Sequence, residues 1–199
     1  GGGYVGLEMA EALHRRGFPV TVVEAAPQPM GTLDPDMGAL VSGAIRGLGI
    51  ELLTETTCDG FEVDAGGHVR AVVTSSGTIP AGIVVLGIGV RPDVELAREA
   101  GIRIGPTGGI ATDRRMATSA EGVWAAGDCV ETFHRVSRAP VTIALGTHAN
   151  KQGRVVGANV TGGYETFPGV IGTAVTKICS TEVARTGLTE AECDAAGIG

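Results

Sequence analysis

Three glycines open the chain at a spacing suited to phosphate chemistry. Gly1, Gly3 and Gly6 form a Gly-x-Gly-x-x-Gly run that leads into apolar residues at helical spacing, Val5, Met9, Ala12 and Leu13, until Gly17. Glycines there permit a tight turn and close backbone approach, and the positive end of the following helix points at the turn, so a pyrophosphate is the ligand the pattern suits. Eighteen residues past Gly6, a short β-branched run ends in Glu24. A carboxylate at that strand end can accept hydrogen bonds from both hydroxyls of an adenosine ribose. A 2′-phosphate would meet its charge, and Ala25 and Ala26 supply no arginine in compensation, so the reading favours NADH over NADPH. The bland alternative for Glu24 is a solvated strand-end carboxylate. The glycines alone are a weak signal; glycines, helix, strand and acid in that order are a stronger one.

A second carboxylate draws notice at Gly127-Asp128, at the end of the run from Thr118 through Trp124 to Ala126. A fixed carboxylate is a strong acceptor for a buried sugar hydroxyl, although Gly-Asp by itself is more often a turn. The other chemistry-bearing residues do not cluster. Cys58, Cys129, Cys179 and Cys193 contain no CxxC pair, and His14, His68, His134 and His148 make no HExxH or H-x-E arrangement. Buried free thiols and no metal are therefore expected.

These residues need elements to hold them. A helix is expected from the glycine turn to Gly17, a strand at 20–24, a helix at 36–48 capped by Asp34 or Asp36, and a strand at 50–53. Segments 58–63, 69–74 and 78–80, separated by Gly66-Gly67 and Ser76-Gly77, read as an antiparallel meander inserted into an α/β unit. A buried strand is expected at 83–86, then a short helix capped by Asp93 and running to about Ala100. Further on come a strand finishing in Gly127-Asp128, a helix of small residues over 141–160, two strands at 173–179 and 182–186 with a turn at Ser180-Thr181, and a helix starting at Thr189.

Composition bounds the function. The 199 residues are 43% apolar and 19% charged, an ordinary globular balance, and the 33 glycines have no three-residue period. A net charge of -7 without a basic run argues against nucleic acid as a partner. No apolar stretch reaches the length of a membrane span and Gly1-Gly2-Gly3 lacks signal-peptide character, so no membrane association and a cytoplasmic setting are expected.

Read in order, Gly-Gly-Gly-Tyr-Val-Gly-Leu-Glu at 1–8, Gly-Ile-Gly-Val-Arg-Pro at 87–92, Ala-Ala-Gly-Asp-Cys at 125–129 and Ala-Arg-Thr-Gly-Leu-Thr at 184–189 resemble the FAD-dependent pyridine nucleotide-disulfide oxidoreductases, in particular the NADH oxidase, NADH peroxidase and coenzyme A-disulfide reductase group. The resemblance implies FAD and NADH as cofactors. Asp128 would bind a ribityl hydroxyl of FAD, Val5 and Gly89 would touch the nicotinamide cofactor, and Leu145 and Gly146 would approach the isoalloxazine ring through backbone atoms. Glu8 would sit near the nicotinamide where it meets the flavin; a first-turn carboxylate favoured by the helix dipole is the equally open alternative.

The implied architecture is α/β. Residues 1–107 would form a Rossmann-like NAD-binding domain with the inserted meander and without its first strand, 108–168 the C-terminal part of an FAD-binding domain, and 169–199 the start of an α+β dimerisation domain. The family's N-terminal FAD fingerprint and redox cysteine have no counterpart here, so a portion of a longer, homodimeric enzyme is expected. Its activity would be hydride transfer from NADH to FAD and on to a disulfide, peroxide or oxygen, with a small-molecule or thiol/disulfide substrate. The competing readings are an FAD/NADH electron-transfer reductase serving ferredoxin, rubredoxin or a nitrite-reducing partner, and a non-catalytic nucleotide-binding module.

Overall fold

The computed structural model describes residues 1–178 and 180–198. They divide into two compact units, Gly1–Gly89 with Val175–Ala184, and Val90–Ala174 with Arg185–Gly199.

In the first unit, α1 (Tyr4–His14) follows the glycine turn and buries Leu7 and Ala10, three apart on one face. The chain leaves it through Gly17 at φ +81°. Strand β1 (Thr21–Val23) then pairs in parallel with β2 (Glu51–Leu53), Val22 opposite Leu52. Parallel neighbours need a crossover, and α2 (Pro35–Gly47) supplies it. Its first residue is Pro35, suited to a helix start because a missing N–H costs nothing there. The residue at the N-cap is Asp34, whose side chain makes no capping hydrogen bond, while Asp36 accepts from the Met37 N–H at 2.7 Å. Val41 and Ile45 face the core, Ile45 fully buried, beside Leu7, Val22, Met30 and Leu52. At about 1.5–3 kcal/mol for each large aliphatic removed from water, this cluster is what holds the parallel pair and its helices together.

The meander follows as expected: β3 (Cys58–Val63), β4 (Val69–Thr74) and β5 (Gly77–Pro80) form an antiparallel sheet in that order. Its first turn is held by Asp64, whose Oδ1 accepts from the N–H groups of Gly66 and His68 and whose Oδ2 pairs with Arg70 at 2.8 Å. Those bonds, led by the His68 N–H and outweighing some desolvation, hold the Asp64 carboxyl below its ordinary value. Strands β9 (Ala174–Ile178) and β10 (Thr181–Arg185) pair with each other and lend Ile178 and Val183 to the same core.

In the second unit, the short α3 (Glu95–Glu99) precedes β6 (Ile110–Ala111), β7 (Val130–Phe133) and β8 (Pro140–Val141); β7 is parallel to β6 and antiparallel to β8. Helix α4 (Gly146–Val160) comes next, and Ile110, Met116, Val130, Phe167 and Val170 make the core. The last helix, α5 (Glu190–Ala196), begins with a capping box in which the Thr189 hydroxyl accepts from the Glu192 N–H and the Glu192 carboxylate from the Thr189 N–H. It ends at Gly197 in the left-handed conformation.

Several expectations are corrected. Residues 83–86 form no strand, and Ile83 and Leu86 are exposed at 62% and 61%, because no backbone among the described residues pairs with them. Residues 122–128 likewise form no continuous strand. Trp124 makes one isolated bridge to Ala117, and Gly127-Asp128 turns into β7 instead of ending a strand. The helix expected from 141 starts five residues later, since Val141 pairs with Thr132 in the sheet. Val94, not Asp93, occupies the N-cap of α3; the Asp93 carboxylate only reaches the Glu95 N–H at 3.5 Å. The thiols are less buried than expected, Cys58 being exposed and Cys129 and Cys193 half-buried, all free; Cys179 lies outside the described residues. Cys58 begins β3, one of the two edge strands of the meander.

Candidate nucleotide-binding sites

In the first unit the glycine turn is a backbone crossing that leaves no space for side chains. A Cβ on Gly6 would run into the Gly1 carbonyl, a Cβ on Gly1 into the Gly87 carbonyl, and one on Gly87 would stand 3.0 Å from the Gly6 Cα. Gly3 differs: it is the N-cap of α1 in extended conformation, and nothing lies within 4 Å of where its Cβ would be. The open side of Gly3 leaves room for a ligand beside the N–H groups of the first helical turn.

Glu24 lies beside this turn. Its Oε2 accepts from the Gly2 N–H at 2.6 Å and its Oε1 from the Ala26 N–H at 2.8 Å. The Gly2 carbonyl in turn accepts from the Met30 N–H at 2.8 Å. Glu24 therefore braces the turn, and each carboxylate oxygen keeps a lone pair for a further donor. A freely solvated strand-end carboxylate is not what the structure shows.

Val5 is 64% exposed on the first turn of α1. The first turn contains no acidic residue; Glu8 is one turn further on, which removes the dipole explanation considered for it. Its Oε1 accepts from the Thr176 hydroxyl at 3.1 Å. Gly89, at φ +93°, lies on the exposed segment two residues past Gly87, the residue that meets Gly6.

The second unit gathers Asp128, Cys129, Thr142, Ala144 and the run 90–93 around a cleft of about 370 Å³. The Asp128 carboxylate is exposed to it. Gly127 adopts φ +90°, a conformation that favours glycine, and donates its N–H to Gln152 Oε1 at 2.7 Å. Gln152 is a buried residue of α4, so this bond fastens Asp128's neighbour to the helix. Leu145 is the N-cap of α4 and its carbonyl takes the N–H groups of His148 and Ala149, leaving Gly146 as the exposed first residue. The fold thus brings Asp128 and the approach to the α4 N-terminus to one cleft. His148, in that first turn, has a buried Nδ1 without a hydrogen-bond partner among the described residues, and burial, with Lys151 adding to it, lowers its pKa from the ordinary value of 6.5.

Both places suit a nucleotide cofactor: one has a turn that only glycine fits at a helix start, the other an exposed carboxylate in a cleft beside another helix start. Thr142, Gln152 and Thr176 were not singled out from the sequence, and Gly87 and Cys129 stood there only as members of the 87–92 and 125–129 motifs. For Gln152 a signal exists, because the polar residues buried on α4, His148, Gln152 and Asn159, recur at helical spacing. For Thr176 there is none, since its partner is 168 residues away. Among the described residues no helix is long and apolar enough to cross a membrane.

Comparison with known proteins places these features. Residues 1–153 match the family described as pyridine nucleotide-disulphide oxidoreductase. The chain is 39% identical over 193 residues to the NAD(P)H coenzyme A polysulfide/persulfide reductase of Pyrococcus horikoshii, covering 96% of this chain and 43% of that protein. Among solved structures it is similar to an NAD-dependent persulfide reductase from A. fulgidus, 40% identical with TM-score 0.95 over 99% of this chain and 37% of that one. It is also similar to an FAD-dependent pyridine nucleotide-disulphide oxidoreductase from Desulfovibrio vulgaris, 36% identical with TM-score 0.94, covering 99% of this chain and 50% of that one. The chain spans less than half the length of the curated relative. With the matched residues running from the glycine turn through the Asp128 cleft to the first half of α4, this chain belongs to the pyridine nucleotide-disulphide oxidoreductase family.

Proposed function

We propose that this chain forms the NADH-binding part and a portion of the FAD-binding part of an oxidoreductase that passes hydride from NADH to FAD and on to a disulfide, peroxide or oxygen. Within that set, the polysulfide and persulfide chemistry in the relatives' names favours a sulfur–sulfur bond as acceptor. The observation that carries the reading is the presence in one chain of two separate cofactor-suited sites, the Glu24-braced glycine turn and the Asp128 cleft. The flavin, when bound, accepts hydride from reduced nicotinamide and relays the electrons.

The protein's part is binding and orientation. Gly1, Gly3 and Gly6 admit the pyrophosphate to the start of α1, and Glu24 takes the ribose hydroxyls while its charge opposes a 2′-phosphate. Val5 and Gly89 flank the nicotinamide end, with Glu8 near the ring. Asp128 holds a ribityl hydroxyl of FAD, and Leu145 and Gly146 present backbone atoms to the isoalloxazine. In the proposed division, residues 1–107 bind NADH, 108–168 belong to the flavin domain, and 169–199 begin the domain through which two copies pair, in a cytoplasmic homodimer.

The test is anaerobic mixing of the full-length protein with NADH or NADPH while the flavin absorbance is followed. Rapid bleaching by NADH, and much slower bleaching by NADPH, is the expected result. Absence of bound flavin, or flavin that stays oxidised, would favour a nucleotide-binding module instead.

A further inference from the structure

We propose that Thr176 is a positioning residue for Glu8, so that the β9–β10 hairpin contributes to the nicotinamide end of the site; this rests on the reading of Glu8 given above. Glu8 is an exposed carboxylate on the second turn of α1. Left alone, such a side chain samples many rotamers and loses entropy when a ligand fixes it. Thr176 is the opposite case, β-branched, 8% exposed and stiff at χ1. Its hydroxyl reaches Glu8 Oε1 at 3.1 Å, and a bond from a neutral donor to an ionised acceptor is among the stronger ones.

The residue type at 176 supports this. Thr176 and Ile178 share the inward face of β9, buried two apart, while Val175 and Lys177 point outward. On that face a valine would fill the same volume without a polar group to satisfy. Threonine stands there, and its one polar atom meets Glu8. The separation is held by packing: Ile178 and Val183 of the hairpin lie in one core cluster with Leu7 and Ala10, the residues of α1 one before and two after Glu8.

The experiment uses the full-length flavoprotein, with NAD⁺ affinity measured by equilibrium titration of the oxidised enzyme and the limiting rate of flavin reduction measured with NADH. Thr176→Val is expected to weaken NAD⁺ binding and slow reduction by about three- to tenfold, the range for one lost hydrogen bond. Thr176→Ser is expected to restore both. In a Glu8→Ala background, Thr176→Val is expected to change neither, because the bond is already gone. Unchanged NAD⁺ binding and reduction in Thr176→Val, or the same loss in the presence and absence of Glu8, would overturn the inference. Should valine prevent folding, Thr176→Ala is compared in the same cycle. Wild-type flavin that NADH fails to reduce would instead count against the parent reading, so the two failures are distinguishable.

Discussion

Glu24 carries more than one duty, and the consequences of changing it follow from both. Its two oxygens hold the N–H groups of Gly2 and Ala26, so Glu24→Ala loosens the glycine turn as well as removing the proposed ribose acceptor. Two charge-assisted bonds lost predict NADH binding weakened by about tenfold or more. NADPH binding is expected to change less, because the repulsion of its 2′-phosphate disappears together with the brace. Fluorescence titration of the full-length protein with each nucleotide measures both, and an unchanged ratio of the two affinities would remove Glu24 from cofactor selection. His148 makes a second prediction at this scale. Burial, and Lys151 after it, lowers its pKa in the folded protein, so the unfolded chain takes up the proton first as pH falls. Stability is therefore expected to be intact above the ordinary value of 6.5 and to decline below it until the folded form also protonates. His148→Gln should flatten that part of the stability-versus-pH curve, read by urea denaturation between about pH 7 and 5.

At the scale of elements, the residues proposed to hold the cofactors sit where an element begins or where two are tied together. Gly3 is the start of α1, Gly146 the start of α4, and Gly127 is fastened to α4 through Gln152. Replacing Gln152 by Leu leaves the Gly127 N–H without its acceptor inside the protein, which costs about 1–3 kcal/mol. A lower thermal midpoint and weaker retention of FAD are both expected. A variant that loses stability but keeps its flavin affinity would show that the tie serves packing alone. The α1, α2 and meander assignments were legible because each carries its own signal: apolar residues at three and four along both helices, and glycines at the hairpin turns. The segments 83–86 and 122–128 were misread for one reason. An apolar run becomes a strand only when another backbone completes its ladder, and among the described residues no strand partner extends along either.

At the scale of the whole molecule, each unit has its own core, and that of the first is gathered from remote sequence. Ile178 and Val183 join Leu7, Val22 and Ile45 although they follow them by well over a hundred residues. Ile45 is fully buried there, so Ile45→Ala is expected to cost about 2–5 kcal/mol, measured as a drop in the urea midpoint without a change in slope. A cost below about 1 kcal/mol would mean that the first core is far more plastic than its packing implies.

Residue order alone was enough to identify the glycine turn, the acid at the end of the following strand, the Gly-Asp pair and the family these resemble, because each is a local pattern of residue types whose chemistry needs that spacing. Tertiary structure decided the rest. It set Glu24 against the Gly2 backbone, passed Gly87 beside Gly6, seated Gln152 beneath Gly127, and brought the Thr176 hydroxyl to Glu8. Those contacts join residues 22 to 168 positions apart. No local periodicity encodes such a pairing; it arises only when burial of the two cores brings the segments together.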